Sequence, residues 1–241
     1  MAEAGLWGAV GASSLLLGAL IAIAFPLPRT LIGLVLGFGA GTLISAMAFE
    51  LTEEAFNLGG ADAVAIGLAL GALAYFAGDT VIERRGGGNR MSSMGEQSGA
   101  ANALLLGAVL DGIPESAVLG ITLLEGSGVG VAVLAAIFLS NLPEALSSTT
   151  GMRMTNRSTA GILTTWSVVV VVSAISAALG YALLDGASGN TIGLIQAFAG
   201  GAVLTMLVDT MIPEAFACGH RAVGMFTVLG FALAYLLSTL E

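Results

Sequence analysis

The chain contains no lysine, one histidine, one cysteine and five prolines, and only 10% of its 241 residues are charged. Each scarcity excludes something. So few charges cannot cover the surface of a water-soluble domain of this size. A single cysteine, Cys218, excludes an intramolecular disulfide. No basic residue precedes Arg29, so the N-terminus lacks the charged start of a signal peptide, and Met1–Phe25 is expected to be retained as a spanning helix. No Gly-Lys-Ser/Thr follows the run Gly86-Gly87-Gly88, which argues against a phosphate-binding loop. Neither a His-Glu-x-x-His motif nor a pair of Gly-x-Gly-Asp motifs occurs. The expectation is therefore that the chain is not an enzyme, holds no cofactor and takes no nucleic-acid partner.

What is abundant points to a membrane. Hydrophobic residues make up 56% of the chain and the mean hydropathy is +0.97. The apolar runs recur from end to end and are continuous, without the alternation of a barrel strand. Each is long enough to cross a hydrocarbon core of about 30 Å, and helices satisfy their own backbone groups there. The 35 glycines fit this class, because small residues let membrane helices approach closely. We read a single transmembrane domain over residues 1–241. It is an all-α membrane protein with eight transmembrane helices at about Leu6–Phe25, Thr30–Asn57, Asp62–Glu83, Ala100–Leu124, Val129–Met152, Thr159–Leu184, Thr191–Cys218 and Arg221–Thr239. The glycine- and serine-containing stretch Arg84–Gly99 reads as a flexible loop.

Arginine fixes the orientation. Arg29, Arg84, Arg85, Arg90, Arg153, Arg157 and Arg221 all fall in the first, third, fifth and seventh connections. The positive-inside rule makes those connections cytoplasmic and places both termini outside. The localisation expected is an integral membrane protein of a prokaryotic plasma membrane.

An internal similarity accompanies this topology. Phe38–Ser45 and Glu54-Ala55-Phe56 align without a gap on Phe198–Thr205 and Glu214-Ala215-Phe216. The two stretches lie on the second and seventh spans, which run in opposite directions. The pattern is a 3+2+3 inverted repeat, an arrangement frequent in secondary transporters, where sites lie near the midplane.

The fourth span carries Asp111-Gly-Ile-Pro-Glu115-Ser and the fifth Ser140-Asn141-Leu-Pro-Glu144. Asp111 and Glu115, and likewise Ser140 and Glu144, are four apart and share a helix face. The prolines release the carbonyls of Leu110 and Leu139 from helical bonding. Together these oxygens suit a hard divalent cation. An acid at the centre of a spanning helix costs about 2.5–3.5 kcal/mol. No arginine lies inside a span, so Asp111, Glu115, Glu144 and the further buried candidate Asp209 must be protonated or neutralised by a cation. Glu50, Glu53 and Glu54 near the outer end of the second span, and Asp209, Glu214 and His220 towards the inner end of the seventh, extend this set as a candidate pathway. For Glu50, Glu53 and Glu54 a solvated helix end serves as well, and for His220, beside Cys218, a structural role leads. Asp79 reads as an ion-pair or interfacial residue near Arg84 and Arg85.

At these motifs the chain resembles the ZIP (Zrt-, Irt-like) family of divalent metal transporters. The family's fourth span commonly reads His-Asn-x-Pro-Glu-Gly, and its fifth carries a comparable x-Pro-Glu/His motif. The resemblance implies that Asp111, Glu115, Ser140 and Glu144 line a primary metal site to which Asn141 contributes. Gly112 replaces the family's bridging asparagine, and histidine is absent from both motifs. An all-oxygen site leans towards Mn²⁺, Fe²⁺ or Mg²⁺, although carboxylates still bind Zn²⁺. The expected function is a secondary transporter carrying divalent metal towards the cytoplasm by alternating access. The alternatives are a proton-coupled carrier of another solute that uses the same acids as relays, and a metal sensor that does not transport. The expected partners are the metal ion and the lipid bilayer, with a homodimer as an option for assembly.

Overall fold

The computed structural model describes residues 1–84, 101–125 and 128–240. Among them the fold is all-helical, with no strand. The helices are α1 (Ala2–Ala24), α2 (Arg29–Ser45), α3 (Glu53–Ile82), α4 (Ala101–Thr122), α5 (Val131–Met154), α6 (Thr159–Leu184), α7 (Gly189–Met206), α8 (Ile212–Gly219) and α9 (Ala222–Ser238). The expected loop 84–99 lies outside the described residues apart from Arg84.

Six helical runs among the described residues are long and apolar enough to cross a membrane, and Ala222–Ser238 is a shorter apolar helix. Leu73, Phe76, Leu183, Val228 and Leu236 stand exposed on the outside of the assembly, as a hydrocarbon solvent allows. The protein is thus built as an integral membrane protein.

Two junctions differ from a simple series of helices. The run Arg29–Ile82 is 54 residues, about 80 Å if straight, far more than one bilayer core. A connection is expected at residues 58–61, yet no loop forms there. The chain turns at a single residue, Gly60, with φ +73° and ψ −177°. Only glycine adopts this conformation without strain. The second difference is a π-helical turn at Ala46–Thr52, between α2 and α3, and another at Leu207–Met211, between α7 and α8. Residues 47–51 and 207–211 are 160 apart, the same offset that aligns Phe38 with Phe198.

Glycine contacts repeat with that offset. A Cβ on Gly33 would lie 2.7 Å from the Ala215 carbonyl oxygen, and one on Gly193 would lie 2.6 Å from that of Ala55. With the glycines one position short of that offset, Gly71 packs on the Phe198 backbone and Gly230 on the Phe38 backbone. These seams hold α2 against α8 and α9, and α3 against α7. The π-helical turns join these two packs, α2/α8/α9 and α3/α7, into one group of helices. The other group is α1, α4, α5 and α6, with α1 packed on both α5 and α6, and α6 on α4. The groups meet chiefly where α2 lies on α5 and α4 on α7. One apolar cluster fills this meeting zone, including Leu36, Leu43, Leu119, Ile137 and Met206. A second, around Leu15, Ile162 and Trp166, fills the interior of the α1/α4/α5/α6 group.

The termini of the helices follow local chemistry. Ser158 and Ser188 accept hydrogen bonds from the backbone N–H groups of Gly161 and Thr191, capping α6 and α7. Arg153 Nη1 donates to the Ala22 carbonyl at 2.6 Å, a cation on the negative end of α1. This brings the arginine-bearing end of α5 beside the end of α1 that leads to Arg29.

Two glycine substitutions separate backbone strain from crowding. Nothing lies within 4 Å of a Cβ built on either Gly60 or Gly224. Gly60→Ala is expected to destabilise the protein by about 1–3 kcal/mol through φ alone. Gly224→Ala, inside α9, is expected to be neutral or to stabilise it by about 0.5–1 kcal/mol. Thermal unfolding of both variants in detergent checks the contrast. Equal behaviour would remove the strain argument at residue 60.

Candidate cation site

The helix α4 presents one buried face formed by Ala108, Asp111, Glu115, Val118, Leu119 and Thr122. The spacing is helical, so the two acids sit one turn apart in a stripe that is otherwise mostly apolar. Asp111 is 2% exposed and Glu115 1% exposed. Their circumstances differ. The Tyr75 hydroxyl on α3 donates to Asp111 Oδ1. Among the described residues, neither carboxylate oxygen of Glu115 has a hydrogen-bond partner. Buried polar groups are almost always partnered, and a bare buried carboxylate is among the most costly exceptions.

Pro114 lies within α4 between the acids. The neighbouring carbonyl of Ile113 accepts from Ser176 Oγ on α6 at 2.9 Å. Gly112 faces the same helix, and a Cβ there would sit 3.3 Å from Ser173 Oγ. The sixth helix therefore brings hydroxyls, not acids, to the proline break.

On α5, Ser140, Asn141 and Glu144 are all buried, as are Ser147, Ser148 and Thr149. Ser140 Oγ donates to the Ile137 carbonyl at 3.0 Å. Ser140, Glu144 and Ser147/Ser148 follow one another at helical spacing, forming a polar track along α5. The track reaches Glu214 on α8, whose Oε1 accepts from Ser147 at 3.2 Å and from Cys218 Sγ at 3.4 Å. Trp166 Nε1 of α6 donates to Thr149 Oγ1 at 2.9 Å and fixes the far side of α5.

The remaining expected residues are dispersed. Glu53 is exposed, and Glu50 and Glu54 are half-buried, at the π-helical turn and the start of α3. Asp209, expected among the buried acids, is exposed instead. It lies in the π-helical turn, whose extra residue per turn rotates the helix face. It borders a surface groove of about 370 Å³ between Leu68 and Ala72 of α3 and Leu204 and Val208 of the α7 run. Glu214 faces inward, so the two acids of the seventh span do not share a face. His220 is exposed at the end of α8 with φ +52°. Asp79 is buried on α3.

The structure thus brings Asp111 and Glu115 together and links Glu144 to Glu214 by a polar track. The helices α4 and α5 touch each other sparingly, with α1 packed on both. Among the described residues, no three His, Cys, Asp or Glu side chains converge as a metal-holding group. Sequence reasoning missed Tyr75, Ser147 and Ser173. A tyrosine at half-depth of a span, away from the interfacial belts where tyrosine collects, is the signal that could have found the first.

Comparison with models of known protein families finds no match, and comparison with curated proteins finds none either.

An unpartnered buried carboxylate makes a stability prediction. Glu115→Met, a change to an apolar side chain of similar volume, is expected to raise the unfolding temperature in cation-free detergent. The gain should correspond to about 1–4 kcal/mol. Differential scanning fluorimetry in chelator measures it, and a melting point below that of wild type counts against the assignment.

Proposed function

We propose that this chain is a secondary transporter of the ZIP type that carries a divalent cation towards the cytoplasm. The observation that carries the reading is Glu115, a buried carboxylate without a hydrogen-bond partner, one helical turn from Asp111. A dehydrated acid pair in a span without a basic residue is favourable only when a positive charge joins it. Oxygen donors favour Mn²⁺, Fe²⁺ or Mg²⁺, with Zn²⁺ as the family default.

In this reading the fold has eight spans in a 3+2+3 inverted repeat, with Gly60 dividing the second span from the third and both termini outside. The matched π-helical turns and the reciprocal glycine seams support it. The cation is received by Asp111 and Glu115 and passes to Glu144. The α5 track through Ser147 then leads it to Glu214. The helices bearing Asp111, Glu115 and Glu144 belong to one group, which moves against the other to open the site to each side in turn. No ATP-binding motif is present, so the cation gradient or a coupled ion drives transport.

One observation favours a second reading. Because no three ligating side chains meet among the described residues, the same acids serve equally as a proton relay for another solute.

Purified protein in proteoliposomes separates the two. Uptake of Mn²⁺ and Zn²⁺ is expected for wild type and is expected to fall at least about tenfold for Glu115→Ala and Glu144→Ala. Equal, low uptake of every divalent metal in all three proteins would sink the transporter reading. Internal acidification that needs no metal and is lost in Glu115→Ala would establish the proton relay.

A further inference from the structure

Hydrogen bonds between described residues cross between the two groups of helices. Thr42 Oγ1 of α2 donates to the Ala136 carbonyl of α5 at 3.3 Å, Ser147 of α5 donates to Glu214 of α8, and Tyr75 of α3 donates to Asp111 of α4. The Tyr75 bond ends on the acid pair. Tyr75 is 1% exposed, so its hydroxyl requires a buried acceptor. One and two turns before it on the same face of α3, Gly71 and Gly67 pack closely on α7. One turn after it, on that same face, Gly78 abuts Leu110, with a built Cβ 3.3 Å from the leucine side chain. The ring therefore projects from a rigid wall onto Asp111.

We propose that Tyr75 is a positioning residue for the cation, acting through Asp111, and that its hydroxyl ties the acid-bearing group of helices to the opposite group. The inference rests on the reading of Asp111 and Glu115 as the cation site. A hydroxyl fixed on Oδ1 holds the Asp111 carboxylate in one rotamer with Oδ2 directed away from it. Glu115 has no such restraint. The two acids therefore have unequal parts. Asp111 supplies a prepositioned oxygen, and Glu115 is the mobile acid that closes on the ion. A cation drawing charge from Asp111 weakens that oxygen as an acceptor, so loading the site loosens the tie between the two groups of helices. Phenylalanine at residue 75 would keep the ring packing and remove the restraint.

The test uses the full chain in detergent, with Mn²⁺ as the probe and binding measured by calorimetry. Asp111→Asn and Glu115→Gln should each abolish or strongly weaken binding. Tyr75→Phe should weaken it about tenfold or more, the usual effect of losing a hydrogen bond that orients a ligating side chain. In the Asp111→Asn background, Tyr75→Phe should produce no further loss. A second measurement needs no Tyr75 variant. In wild-type protein carrying ring-¹³C tyrosine, the infrared C–O stretch of tyrosine should change on adding Mn²⁺, and the change should vanish in Asp111→Asn. Wild-type affinity in Tyr75→Phe, an equal loss from Tyr75→Phe with or without Asp111, or a tyrosine band indifferent to Mn²⁺ would each overturn the inference and leave the cation site intact. Unaltered Mn²⁺ binding in both Asp111→Asn and Glu115→Gln would overturn the site itself, and the role of Tyr75 with it.

Discussion

A carboxylate buried at membrane depth without a hydrogen-bond donor is the constraint around which this structure is arranged. Many other polar groups among the described residues are satisfied locally. Hydroxyls donate to carbonyls three or four residues back, as Thr205 and Thr227 do, and Asp111 and Glu214 have donors from neighbouring helices. Among the described residues, Ser45 Oγ, Gln196 Oε1 and both Glu115 oxygens are buried without a partner, and of these only Glu115 carries an ionisable group. A site of this kind is unstable when empty and charged, and that instability is what gives it affinity for a proton or a cation.

The rest of the molecule keeps that site rigid while allowing the groups beside it to differ in position. Within each group, glycines bring backbones into contact, as at Gly18 against the Leu142 carbonyl and Gly71 against Phe198. Such seams leave no side chain to yield, so each group behaves as a block. Between the groups, contacts are fewer, and hydrogen bonds join Thr42 to Ala136, Ser147 to Glu214 and Tyr75 to Asp111. Motion between helices concentrates where few contacts are lost.

Much of this was legible in the sequence, and the parts that were not share a cause. The span Thr159–Leu184 is matched residue for residue because Ser158 caps its start and the apolar run stops at Asp185. The burial of Asp111, Glu115, Ser140, Asn141 and Glu144 followed from their depth in two apolar runs. The turn at Gly60 was expected as a short loop, since a composition rich in glycine and asparagine does not reveal that one residue suffices. The outward turn of Asp209 was hidden, because a π-helical turn has no compositional mark beyond the nearby Pro213. Tyr75 and Asp111 are 36 positions apart, and Ser147 and Glu214 are 67 apart. Such partners are chosen by the crossing of helices, which periodicity along one helix does not encode.

The distribution of contacts along the chain has a consequence for how the protein is made. The α1/α4/α5/α6 group is complete once residue 184 has been synthesised, so the acid pair is enclosed on one side early. The second and third spans emerge before it but find their principal partners, α9 and α7, only in the last quarter of the chain. Until then the glycine faces at Gly33, Gly41 and Gly67 are without the backbones they fit. The ribosome thus releases the helices in one order and the membrane assembles them in another. Until α7 and α9 follow, α2 and α3 lack these partners, and incompletely packed helices are exposed to misassembly.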